Sequence, residues 1–230
     1  MTKIAMLDVD KTLSDGYSAM AFLDYLNERR IISPNFYKEQ IIIEKKYYRG
    51  EIDYDQWCAD FGLSWEKGFK GYSVKDIGNA AKDFFQDFKK NIYPTSYQLV
   101  DLLKEYDYHT IIVSTSAFEV ISLIGKELGV DEVFASKMLT NKGVYAGKML
   151  TDFHLPGGKK RFIDKNLVGK YNFKDSLAAG DSSHDVEMLE MSDYPIALNP
   201  KKQLQEIAEK RGWYVFNYEN VVEGVRKILN

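Results

Sequence analysis

Ile4-Ala5-Met6-Leu7-Asp8-Val9-Asp10-Lys11-Thr12 begins as an apolar run and ends in two carboxylates one residue apart. The run reads as a strand. Alternate residues of an extended segment point the same way, so Asp8 and Asp10 reach one small volume at the strand's carboxyl end. Like charges that close repel unless a cation or a proton compensates. The pair suits a Mg2+ ion and a phosphoryl group. One aspartate would attack phosphorus, and the other would pass a proton to and from the leaving group. Taken alone, the string also fits a solvated loop with an Asx-type turn.

Three later segments bear on that choice. Thr110-Ile111-Ile112-Val113-Ser114-Thr115-Ser116 reads as a buried, β-branched parallel strand ending in hydroxyls. Ligands of open α/β sheets bind beyond the carboxyl ends of strands, which turns Ser114 towards the crevice of Asp8. Ser114 also fits the N-cap of a helix beginning near Ala117. Gly157-Gly158-Lys159-Lys160 precedes a helical stretch. A lysine there would neutralise phosphate charge and hold the nucleophilic carboxylate, and Lys159 is favoured over Lys160. Leu177-Ala178-Ala179-Gly180-Asp181-Ser182-Ser183-His184-Asp185 is a short strand running into two aspartates four positions apart, with a helix over Val186–Glu190. Such oxygen-rich ligation matches a hard, octahedral Mg2+. Asp185 equally fits a first-turn acid favoured by the helix dipole.

Outward from these segments, the chain divides by periodicity. Residues 18–91 contain no convincing strand. Ser18 is placed as an N-cap before Met20, Phe22, Leu23 and Leu26 at helical spacing; Pro34 opens a second helix; Asp53 to Phe61 forms a third and Val74 to Phe88 a fourth. Thereafter helix and strand alternate, as in a doubly wound, mostly parallel, Rossmann-like sheet. The expected organisation is an α/β core of residues 1–15 and 90–230, with a small all-helical cap of residues 16–89. The cap is rich in aromatics that serve mainly as packing. Tyr17 and Trp57 are the candidates to line a substrate pocket, which would take an apolar or a quaternary-ammonium leaving group.

Composition narrows the function. The 230 residues carry a net charge of −3, which leaves no electrostatic footprint for nucleic acid. No signal sequence or membrane span is read, and the lone Cys58 forms no internal disulfide, so a cytoplasmic protein without membrane attachment is expected. Cys58 reads as packing rather than as a nucleophile. Three scattered histidines do not suggest zinc.

In this order the four segments resemble the haloacid dehalogenase-like phosphohydrolase superfamily. The similarity is greatest to its phosphoserine phosphatase-like subgroup, whose helical cap follows the first motif. Val133–Leu139 followed by Lys142–Gly147 is also similar to that subgroup's strand and hairpin. The resemblance implies that Asp8 is the nucleophile and forms an aspartyl-phosphate. Asp10 would be the general acid and base, its carbonyl also touching Mg2+, and Thr12 would brace the loop. Ser114, with Thr115 beside it, would bind the transferring phosphoryl group, and Lys159 would steady Asp8 and the phosphate. Asp181 would ligate Mg2+, and Asp185 would ligate or orient its shell.

Members that hydrolyse phosphoserine use an acidic residue just past the first motif and a cap arginine. This chain has Tyr17 or Ser18 at the first position and Trp57-Cys58-Ala59-Asp60 near the second, which puts phosphoserine as substrate in doubt. The expected activity is Mg2+-dependent hydrolysis of a small phosphorylated metabolite by a monomer or homodimer. A phosphotransferase with an alcohol acceptor is the alternative. A silent binding module is less favoured, because all four motif aspartates are present.

Overall fold

The protein, a computed structural model describing residues 2–230, is built on a six-stranded sheet. Strand β1 (Lys3–Leu7) is followed by four helices, α1 (Ser18–Glu28), α2 (Pro34–Tyr48), α3 (Tyr54–Phe69) and α4 (Val74–Phe88). The chain then alternates: α5 (Pro94–Glu105), β2 (His109–Ala117), α6 (Phe118–Leu128), β3 (Glu132–Ser136). A hairpin of β4 (Met138–Asn141) and β5 (Val144–Met149) leads to α7 (Gly158–Asn166). The remaining elements are β6 (Asn172–Gly180), α8 (Val186–Glu190), β7 (Tyr194–Leu198), α9 (Lys202–Arg211), β8 (Tyr214–Phe216) and α10 (Val221–Leu229).

The sheet order is β3-β2-β1-β6-β7-β8, and every pairing in it is parallel. The order reverses between β1 and β6, and in doubly wound sheets ligands bind beyond the strand ends at that reversal. Leu7 pairs with Ala179 on one side and Ile112 on the other, so the three strand ends that follow lie side by side.

Side chains of β1 alternate between two cores. Ala5 and Leu7 pack with Phe22, Leu99, Ile121 and Val225, from α1, α5, α6 and α10. Ile4 and Met6 pack with Ile163, Met188 and Leu204, from α7, α8 and α9. Burial on both faces is why the strand is uniformly apolar rather than alternating.

Helix α3 runs eight residues beyond the expected end at Phe61. Trp57, Phe61, Trp65 and Phe69 continue one stripe at four-residue spacing, and consecutive rings touch at 4.7–6.1 Å. The glycines that lower its helix propensity are packing sites. A Cβ on Gly62 would collide with His154, and one on Gly68 with Phe36. Helix α1 also departs from expectation. It starts at Ser18 after Tyr17 as N-cap, and its first N–H is capped from outside by Asp10, whose Oδ1 accepts from Ser18 N at 3.0 Å. No helix among the described residues is long and apolar enough to cross a membrane.

Candidate active site

Asp8 leaves the end of β1, where its N–H donates to Ala179 O of β6 at 2.9 Å. Asp181 leaves the end of β6 itself. Asp185 returns to the same place through a single helical turn, Ser183–Asp185. Gly180 permits that return, because a Cβ there would overlap the Asp185 side chain. Oxygens of Asp8, Asp181 and Asp185 all lie within 4.8 Å of one another, and all three residues are buried.

Lys159, on α7 and only 2% exposed, enters this cluster. Its Nζ donates to Asp8 Oδ1 at 2.7 Å and to Asp185 Oδ1 at 2.5 Å. Lys160 instead points outwards to an exposed pair with Asp164. Thr12 does more than brace the loop, since its Oγ1 donates to Asp8 Oδ2 at 3.2 Å. Burial drives the Asp8 carboxyl well above its usual range against the pull of Lys159, with Asp185 and Asp181 adding to the rise.

Asp185 is saturated: besides Lys159 on Oδ1, its Oδ2 accepts from Asp181 N, Ser182 N and Ser182 Oγ at 3.0–3.2 Å. Burial opposes its charge, but Lys159 and these donors hold its carboxyl below the usual value. Asp181 is the opposite case. Burial pushes its carboxyl up to about 6, and its Oδ2 has no hydrogen-bond donor. Lys201 Nζ stands 3.1 Å from that oxygen, a pairing by charge at an angle that makes no hydrogen bond.

A divalent metal fits these residues. Asp181 offers a buried, unbonded oxygen facing two further carboxylates. The four aspartates, Asp10 included, outnumber Lys159 and Lys201 by two charges. An all-oxygen donor set suits a hard cation. The Asp10 carboxylate itself lies outside the triad. It accepts from Ser18 N and from Ser116 Oγ, and burial raises it above its usual value despite those bonds.

Strand β2 brings Ser114, Thr115 and Ser116 to the same cavity. Ser114 does not cap a helix. Its Oγ accepts from Ser116 N at 3.2 Å, within a strand that continues to Ala117. The enclosed space of the cavity is about 60 Å³. Its floor is Asp8, Asp10, Ser114 and Lys159; its roof is Tyr17, Met20, Tyr54, Trp57, Cys58 and Phe61 from α1, α3 and the residue before α1. Tyr17 and Trp57 both line it and meet edge to face at 5.1 Å. Burial pushes the Cys58 thiol up to about 12, so it stays protonated and is no nucleophile.

Four neighbours of the site have no counterpart among the residues expected to act there. Ser18 and Ser116 hold Asp10. Lys201 spans from Asp181 to the roof, 3.7 Å from the Tyr54 ring centre. His184 links sheet to roof, with Nε2 2.7 Å from Phe153 O and Nδ1 3.1 Å from Asp55 Oδ1 of α3. The position of Lys201 just past β7, the strand beside β6, is the one sequence signal that points to it.

Comparison with known proteins agrees with this architecture. The family model for haloacid dehalogenase-like hydrolases matches residues 5–190, which include every residue of the cluster except Lys201. A histidinol-phosphatase of Neisseria meningitidis is 22% identical over 95% of this chain and 100% of its own. A Bordetella pertussis protein of unknown function superposes with a TM-score of 0.80, at 24% identity over 95% of this chain and 100% of that one. A phosphoserine phosphatase carrying an analogue of its phospho-aspartyl intermediate superposes with a TM-score of 0.67, at 19% identity over 100% and 99%. With the motifs in order, the carboxylates gathered at the sheet reversal and the helices inserted after the first motif, the chain belongs to the haloacid dehalogenase-like hydrolase family, with the fold of its phosphoserine phosphatase-like subgroup.

Proposed function

We propose that the chain is a Mg2+-dependent phosphatase that hydrolyses a small phosphomonoester through an aspartyl-phosphate on Asp8. The observation that carries this is the pairing of Asp8 with Lys159 and Thr12 at the floor of the cavity, beside a carboxylate oxygen of Asp181 that lacks a donor. The matching family model and the phosphatases among the similar proteins support it.

In this mechanism an Asp8 oxygen attacks phosphorus in line with the ester oxygen, and the bond from phosphorus to that oxygen breaks. Asp10 donates its proton to the departing alcohol. Its raised carboxyl suits the task, since an ordinary aspartic acid would hold no proton near neutral pH. Asp10 then takes a proton from water as the water oxygen attacks phosphorus, and phosphate leaves with Asp8 restored. Dividing the hydrolysis in two replaces one difficult displacement by two easier ones. Lys159 orients Asp8 and neutralises phosphoryl oxygens, and the Ser114 hydroxyl and neighbouring N–H groups bind them. Asp181, with Asp8 and Asp185, would hold Mg2+, which supplies positive charge to the transferring phosphoryl group when bound. Residues 16–89 would act as a cap that excludes bulk water during the reaction.

The test is phosphate release from a panel of phosphorylated metabolites, with Mg2+ and with chelator, for wild type and Asp8→Asn. Mg2+-dependent release that Asp8→Asn abolishes is expected. Release that persists in Asp8→Asn, with deamidation and contaminants excluded, would overturn the assignment.

A further inference from the structure

An acid at Asp10 has to present its proton to one atom, the ester oxygen that leaves phosphorus. Given the phosphatase reading above, we propose that Ser116 is a positioning residue for that step. Its hydroxyl fixes the plane of the Asp10 carboxyl so that the proton reaches the departing alcohol.

An aspartate carboxyl turns easily about its last torsion, so a single bond leaves its plane free. Asp10 has two bonds, on different oxygens. Its Oδ1 accepts from the backbone N–H of Ser18 at 3.0 Å, and its Oδ2 accepts from Ser116 Oγ. The Ser18 N–H belongs to the first residue of α1 and is fixed by the helix, so it pins one oxygen whatever stands at position 116. The Ser116 hydroxyl is therefore the contact that decides the plane. A carboxyl oxygen has two lone-pair positions. Ser116 occupies one on Oδ2 and leaves the other for the proton. Asp10 and Ser116 both line the cavity above Asp8. Small misplacements of a reacting group cost as much as about a hundredfold in rate, so a fixed plane matters to the chemistry.

Ser116 is itself held in place. It is 8% exposed, near the end of β2. The pairing of β2 with β3 is irregular between Val113 and Ala117, a stretch that spans all three hydroxyl residues. Such bulges beside active sites re-aim side chains. Within it the backbone N–H of Ser116 donates to Ser114 Oγ at 3.2 Å. One residue thus serves both halves of the reaction through separate atoms. Its N–H steadies the hydroxyl that binds the phosphoryl group, and its Oγ steadies the acid. Removing Oγ leaves the first contact in place.

The experiment compares kcat/KM of wild type and Ser116→Ala on two esters. One is the alcohol ester preferred in the metabolite panel. The other is dinitrophenyl phosphate, whose phenolate departs without taking a proton. For either ester kcat/KM covers only the steps up to loss of the leaving group, so the later attack by water does not enter. Ser116→Ala is expected to lower kcat/KM about ten- to hundredfold for the alcohol ester and less than about threefold for the dinitrophenyl ester. Inhibition by inorganic phosphate should stay within about twofold, because the bond to Ser114 is kept. Ser116→Thr, which keeps a hydroxyl, should recover most of the loss. An equal loss on both esters, no loss on either, or a phosphate inhibition constant that shifts as far as the alcohol-ester rate would overturn the proposal. So would Ser116→Thr as impaired as Ser116→Ala, or a wild type that hydrolyses the dinitrophenyl ester alone. Should Ser116→Ala fail to fold, Ser116→Cys, a weak donor of similar size, is read by the same comparison. Each of these failures leaves hydrolysis dependent on Asp8 and sinks the role of Ser116 alone. Phosphate release from neither ester, or release that survives Asp8→Asn, overturns the phosphatase reading and this proposal together.

Discussion

Replacing Lys159 by Met tests whether one ammonium compensates the buried carboxylates. Lys159 and both of its partners are buried, so solvent does little to screen the pairs. Removing one partner of a buried ion pair costs about 3–5 kcal/mol. The protein has one escape, which is to take up a proton on a cluster carboxylate. Protonating a carboxylate of ordinary pKa 3.9 costs about 1.4 kcal/mol per pH unit above that value, hence about 5 kcal/mol at pH 7.5 and about 2 kcal/mol at pH 5.5. These figures cap the loss at each pH. The sign follows from proton counts. Without Lys159 the native cluster binds more protons than the unfolded chain between pH 4 and 7.5, so the variant's deficit grows as pH rises. We expect metal-free Lys159→Met to lose about 3–5 kcal/mol at pH 7.5, a melting temperature lower by about 10 °C or more. At pH 5.5 the loss should shrink to about 2 kcal/mol or less. Mg2+ at a hundred times its dissociation constant should restore about 2.7 kcal/mol. Urea unfolding at the two pH values, with and without Mg2+, measures all three. A loss below about 1 kcal/mol at pH 7.5, or one as large at pH 5.5, would refute the reasoning.

Other perturbations reach different parts of the site. Asp181→Asn is expected to weaken Mg2+ binding, followed by calorimetry, by about tenfold or more, because it removes charge from the one triad residue with an oxygen free of donors; unchanged affinity would place the metal elsewhere. Asp55→Asn weakens the His184 link from α3 to the sheet and should raise KM by about two- to tenfold with a smaller change in kcat, the worth of one ordinary hydrogen bond; an effect on kcat alone would show that the link does not govern closure. His154 is buried, its Nδ1 is without a partner, and burial lowers its pKa from 6.5. The fold keeps it neutral, so its contribution is complete above the unfolded value and is lost as pH falls below about 6.5. His154→Gln should flatten the acid side of the stability profile between pH 7 and 5.5, and an unaltered slope would contradict the assignment.

What the sequence disclosed follows from how each feature is encoded. Strands β1 and β2 and the carboxyl end of β6 were legible because a doubly wound sheet buries both faces and writes itself as continuous apolar runs, whereas the first residues of β6, Asn172–Asp175, are mostly polar and partly exposed and carry no such signal. Asp8 was legible because an apolar strand ends in it with a second carboxylate, Asp10, pointing the same way, and Asp181 and Lys159 because each stands at a strand end or helix start beside a glycine. Helix α3 was read short, because Gly62 and Gly68 lower local propensity while their packing against His154 and Phe36 is a tertiary fact. The capping of α1 by Asp10 was invisible for the same reason: the donor lies eight residues from its acceptor, across a loop. The pair of His184 with Asp55 joins segments well separated in the chain and no local pattern announces it, while Lys201 has only its place just past β7 to point to it.

The central claim is that Asp8 carries the phosphoryl group. Acid-quenching the enzyme during turnover, reducing with borohydride and mapping peptides by mass spectrometry tests it most directly, because borohydride converts an acyl phosphate to the alcohol. Homoserine at position 8, formed only with substrate and Mg2+ present, is the expected result. Turnover with no reduction product, or with one at another carboxylate, would contradict the account.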